Sequence, residues 1–101
     1  MAARFKCKEY VFAATNVPVK LTTILGLSNA DYIGTLVMRA GTGNLQDLFW
    51  GGSDVTTTTN RGGFLSAEDA IGIDVVNKFF GTDEVYLVGT INDIVHITWI
   101  Q

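Results

Sequence analysis

Asp83 to Gln101 reads Asp-Glu-Val-Tyr-Leu-Val-Gly-Thr-Ile-Asn-Asp-Ile-Val-His-Ile-Thr-Trp-Ile-Gln, two strand-like runs separated by a turn. Side chains alternate between the faces of a strand, so residues directly opposite one another in a pair must share a face. In Ile94–Ile100 the positions Val95, Ile97 and Trp99 are all apolar, as are Val85 and Leu87 in the run before. Closing the two runs as a hairpin through Gly89–Asp93 brings these five together as a core face. The other face then carries Tyr86, Val88, Ile94 and Ile100 beside Glu84, His96 and Thr98. That is more apolar surface than a lone small sandwich needs. A contiguous apolar patch of this kind marks a contact surface, unless a second sheet or a loop covers it. Tyr86, Val88, Ile94, His96 and Ile100 are therefore the candidate interface, with His96 expected opposite Tyr86.

Outward from this stretch, short segments rich in Val, Ile, Thr, Tyr and Phe alternate with turn clusters of Gly, Asn and Asp. That spacing predicts an all-β, antiparallel sandwich, jelly-roll-like, with at most one short helix. Strands are expected at Phe5–Thr15, Val19–Thr23, Ile33–Ala40, Leu45–Trp50, Asp54–Thr59, Phe64–Leu65 and Ala70–Val76. Gly41-Thr42-Gly43-Asn44 is expected to join the third and fourth of these as a hairpin, and Asn60-Arg61-Gly62-Gly63 to form a turn with positive φ. Ser28-Asn29-Ala30-Asp31 reads as either a long turn or one helical turn. Ser66–Asp69 reads as a turn, and Asn77–Asp83 as a loop carrying Phe79 and Phe80.

At 101 residues, the expectation is one domain spanning residues 1–101. Hydrophobic residues make up 48% and charged residues 17%, against about 25% charged in ordinary soluble domains. No apolar run approaches the ~20 residues that span a bilayer, so low charge points to subunit burial and not to a membrane. The first residues lack the apolar stretch of a secretion signal. The single Cys7 has no partner for an internal disulfide, and a reducing cytoplasm is the expected place of folding. Net charge is −3 with scattered basic residues. The densest group, Arg4, Lys6 and Lys8, is too sparse for a phosphate-neutralising surface, so nucleic acid is not an expected partner.

Chemistry-bearing constellations are few. The one histidine, His96, lies mid-strand, and Ser28, Ser53 and Ser66 sit in turns without a nucleophile-elbow pattern. No catalytic residue is expected, and His96 is expected to have at most a modest pH effect on association. Asp31, Asp47, Asp54, Asp69, Asp83 and Asp93 fall at strand ends and turns, where Asp is favoured locally. No metal or cofactor site is therefore expected. The glycine pairs lack the Lys-Ser/Thr of a phosphate cradle. Trp50 beside Gly51-Gly52 suits either edge packing or a sugar-stacking platform.

Several stretches occur together in one order: Val17-Pro18-Val19-Lys20-Leu21-Thr22, Leu36-Val37-Met38-Arg39-Ala40, Trp50-Gly51-Gly52-Ser53-Asp54-Val55-Thr56, Gly62-Gly63-Phe64-Leu65-Ser66-Ala67-Glu68 and Glu84-Val85-Tyr86-Leu87-Val88-Gly89-Thr90. This order resembles small β-sandwich virion structural proteins of tailed bacteriophages: capsid-decoration, cement, neck and tail-associated subunits. The resemblance implies a non-enzymatic, repeated subunit assembled in the host cytoplasm into a virion. It also implies contacts with other copies of itself and with virion proteins such as the major capsid protein. The alternative is a carbohydrate-binding sandwich for host attachment.

Overall fold

Leu36-Val37-Met38-Arg39-Ala40 alternates buried and exposed without exception, as a strand with one face in a core must. The same two-residue period runs through Ile94–Ile100, where Val95, Ile97 and Trp99 are buried. The computed structural model describes residues 5–26, 35–73 and 85–100. Its strands are β1 (Phe5–Val11), β2 (Val19–Lys20), β3 (Leu36–Ala40), β4 (Leu48–Gly51), β5 (Arg61–Leu65), β6 (Ala70–Ile73), β7 (Tyr86–Val88) and β8 (Ile94–Ile100). Among the described residues one short helix, α1 (Leu21–Leu25), follows β2.

The strands form two four-stranded sheets, ordered β1-β8-β3-β6 and β2-β7-β4-β5, and every pairing is antiparallel. Among the described strands only β4 and β5 are successive within one sheet; every other successive pair lies on opposite sheets. The result is an antiparallel β-sandwich of jelly-roll topology. Leu36, Met38, Ala40, Val95, Ile97 and Trp99 from the first sheet meet Leu48, Leu65 and Leu87 from the second. Phe12 and the helix close this core, with Leu21, Ile24 and Leu25 buried at the spacing of one helical face.

Several local expectations give way to this crossing pattern. The two terminal runs do not form a hairpin: β7 pairs with β2 and β4, and β8 with β1 and β3. Likewise β4 pairs with β5 and β7, not with β3 across Gly41–Asn44. Val19–Thr23 turns helical after Lys20, because burying Leu21, Ile24 and Leu25 on one side outweighs the strand preference of two threonines. Gly26, at φ 70, ends that helix and donates its N–H to the Thr22 and Thr23 carbonyls.

Asp54–Thr59 is a loop. The Thr56 hydroxyl accepts hydrogen bonds from the Thr58 and Thr59 N–H groups at 3.2 and 2.8 Å, giving the backbone a local alternative to a sheet ladder. Asn60 does adopt positive φ, but Gly62 and Gly63 lie within β5. There Gly63 sits opposite Trp50, and a Cβ on it would fall 2.2 Å from the indole. Ser66–Asp69 is the expected turn, with Asp69 N–H donating to the Ser66 carbonyl and Ser66 N–H to the Asp69 carboxylate. The Ser28–Asp31 segment and the Asn77–Asp83 loop lie outside the described residues.

Candidate interaction surface

The two sheets present outer faces of different character. On the second sheet, Phe49, Val55 and Val88 form a separate buried cluster with Tyr86 packed against it. Val55 comes from the β4–β5 loop, which lies down over the strands and uses its apolar side chain as a plug. Gly51 permits that approach, since a Cβ there would be 2.7 Å from the Asn60 carbonyl oxygen and 3.1 Å from Val55. At the margin, the Arg61 guanidinium stacks over the Phe49 ring, 4.9 Å from its centroid. Val88 is accordingly 0% exposed, and Tyr86 is half-buried. Val88 thus belongs to the interior and not to a contact surface. The loop that covers it comes from a part of the chain more than thirty residues earlier in sequence.

The outer face of the first sheet lies open across its central strands. Ile94, His96, Thr98 and Ile100 of β8 point to it, with His96 exposed, Ile94 half-buried and Ile100 39% exposed. Neighbouring strands add Val11 (47% exposed) and Val37 (37% exposed), together with Cys7, Glu9 and Arg39. Register arranges these side chains in rows across the sheet: Cys7, Thr98, Val37 and Gly72 in one, Glu9, His96, Arg39 and Ala70 in the next. His96 is therefore flanked by Glu9 and Arg39, not by Tyr86. Its Nδ1 lies 3.5 Å from a Glu9 carboxylate oxygen. The Thr98 hydroxyl donates to Cys7 Sγ at 3.9 Å. A shallow groove of about 430 Å³ runs between β3 and β8, lined by Val37, Arg39, Thr42, His96 and Thr98.

The candidate interface divides. Ile94, His96 and Ile100 share one open face, whereas Tyr86 and Val88 lie on the opposite side of the sandwich under a loop. Val11, Val37, Glu9 and Arg39 complete the open face and were not anticipated. The alternation in Leu36–Ala40 was a sufficient signal for Val37 and Arg39 pointing away from the core. Lys6 and Lys8 stand opposite Trp99 and Ile97, on the inward side of the edge strand β1, and so contribute nothing to the open face. Arg4 lies outside the described residues.

At one end of the sandwich the crossing loops are tied together by two polar side chains. Asn44 donates its amide to the Ile94 carbonyl at 2.8 Å and accepts the Ile94 N–H at 2.7 Å, pairing as a strand residue would. Asp93, only 4% exposed, accepts the Leu45 and Gln46 N–H groups, each at 3.1 Å, one on each carboxylate oxygen. Beside them is an open cleft of about 410 Å³ lined by Thr15, Leu45, Gln46, Asp47, Phe49, Thr57 and Thr90. Trp50 is half-buried against the core and Gly63, which removes most of its ring from use as a sugar platform. Among the described residues, no group of three or more His, Cys, Asp and Glu side chains could hold a metal ion. Comparison with protein-family models, with curated proteins and with solved structures found no match.

Proposed function

We propose that this chain is a non-enzymatic structural subunit of a tailed-phage virion, a capsid decoration or cement protein that strengthens the particle through subunit contacts. The observation that carries this reading is an uncovered, partly apolar sheet face on a jelly-roll sandwich. That topology recurs in viral capsid and lectin domains, and a fold hosts many functions, so the weight falls on the face. On one sheet the chain's own loop covers Val88 and leaves Phe64 of the edge strand exposed, while the other keeps Val11 of its edge strand and Val37 and Ile100 of its central strands in solvent. Burying apolar surface is worth about 25 cal/mol per Å², so a few hundred Å² per contact suffices when many copies act together.

The test is made on particles. Quantitative mass spectrometry of purified virions should find the chain in fixed proportion to the major capsid protein. Virions assembled without it should release their DNA at a lower temperature. Purified virions that lack the chain would remove this reading.

The second reading, a carbohydrate-binding sandwich for host attachment, draws support from the loop-end cleft. Three threonines, Gln46 and Asp47 there offer hydroxyl, amide and carboxylate groups beside Phe49 and Leu45. Saccharide binding on a glycan array, weakened by Asp47→Ala and Gln46→Ala, would favour it over the structural role.

A further inference from the structure

We propose that the outer face of the first sheet pairs with the same face of a second copy of this chain, about a two-fold axis running along β8, so that Glu9 of each copy meets the partner's Arg39. The inference rests on reading this face as a subunit contact and adds to it the partner and the register. Strands β1 and β3 flank β8, and Glu9 and Arg39 stand on either side of His96 at the same level along the strands. Rotation by half a turn about a line along β8 exchanges left and right but keeps that level. Strand β1 then lies over the partner's β3, and β3 over the partner's β1. Each carboxylate faces a guanidinium twice over, Cys7 faces the partner's Val37, and His96 and Thr98 face their own counterparts.

The charge pattern selects this axis. A two-fold axis across the strands at the level of His96 would set Glu9 over the partner's Glu9 and Arg39 over the partner's Arg39. Like charges in a contact oppose association, so that arrangement is disfavoured. Among the described residues Arg39 has no carboxylate partner within its own chain. The groove between β3 and β8, lined by Arg39 and His96, is where the partner's β1 side chains would enter. Packed sheets lie ~10 Å apart and within ~30° of alignment, which lets facing side chains interdigitate. Three strands overlap in this register, β1, β8 and β3, and present roughly 330 Å² per copy, below the size of a permanent interface, so the pairing is reversible.

Sedimentation equilibrium of the full chain from about 1 µM to 1 mM reads the result directly, a range that brackets reversible association. The wild type should show a concentration-dependent dimer. Glu9→Arg and Arg39→Glu should each raise the dimer dissociation constant at least about tenfold, because each puts like charges face to face twice. An equal mixture of the two variants should restore dimers, as should the double variant. As a second measurement, Val37→Cys should be joined to Cys7 of the partner by a short bis-maleimide, because facing Cα atoms ~10 Å apart lie beyond the reach of a direct disulfide. Adding Cys7→Ser should abolish that link. A chain that stays monomeric throughout overturns self-pairing and leaves the virion reading to the particle experiment. A dimer indifferent to charge reversal, not rescued by mixing, or not cross-linked through Val37→Cys overturns this face or this register.

Discussion

Asp93 shows how one buried side chain can direct the course of two loops. Its carboxylate receives two backbone N–H groups from the β3–β4 loop, while its own carbonyl accepts the Phe12 N–H at 2.9 Å. Asn92, at φ 74, turns the chain sharply just before it and donates its N–H to the Phe12 carbonyl. Replacing Asp93 by Ala leaves the Leu45 and Gln46 N–H groups without their acceptor in a partly buried site. The expected loss is about 2–3 kcal/mol, with Asp93→Asn losing less because one acceptor oxygen remains. Urea unfolding of the three proteins measures this. A loss below about 0.5 kcal/mol for the alanine variant, the range of ordinary surface changes, would mean that water replaces the carboxylate. An aspartate in a turn was legible in the sequence. Its partners, nearly fifty residues earlier in the chain, were not, because no local pattern encodes a contact at that separation.

At the level of elements, the inward and outward assignment of β8 and β7 follows from alternation alone. Val95, Ile97, Trp99 and Leu87 are buried as the two-residue period requires, and Val85 packs beside them. Which strand lies alongside is a different matter. Alternation is a property of one strand and says nothing about its neighbour, so the terminal hairpin was the nearest pairing and the wrong one. The same limit applies to what covers an outer face. Val88 and Val37 are both outward-pointing valines, but one lies under Val55 and the other meets solvent. A matched substitution separates them. Val88→Thr places a hydroxyl in a dry cluster and should cost about 1–3 kcal/mol, whereas Val37→Thr should change stability by less than about 0.5 kcal/mol. Equal effects in thermal or urea unfolding would show that the loop does not seal Val88.

For the whole molecule, the topology joins the beginning of the chain to its end. Strand β1 pairs along its whole length with β8, from Phe5 opposite Ile100 to Val11 opposite Ile94. With a single in-sheet connection among the described strands, little of the sheet can form before distant segments meet, and closing long loops comes before any pairing rewards it. Refolding followed by tryptophan fluorescence in a stopped-flow instrument should therefore take milliseconds to seconds, as for other all-β sandwiches. Complete refolding within about 100 µs, the regime of helical bundles, would contradict this account of which pairings come first.

The sequence alone determined the class of this protein. Regular strand and turn signals, a two-residue apolar period and scarce helical patterning specify an antiparallel sandwich because each is a local consequence of side-chain shape and polarity. It also determined which side of β8 faces inward. Tertiary structure decided the rest: that nearly every connection crosses between sheets, that the β4–β5 loop folds back to seal Val88, and that Glu9, His96 and Arg39 stand in one row on the open face. Those outcomes depend on which distant segments exclude water from one another most completely. Burial is a property of the assembled chain, and no residue carries it before its neighbours arrive.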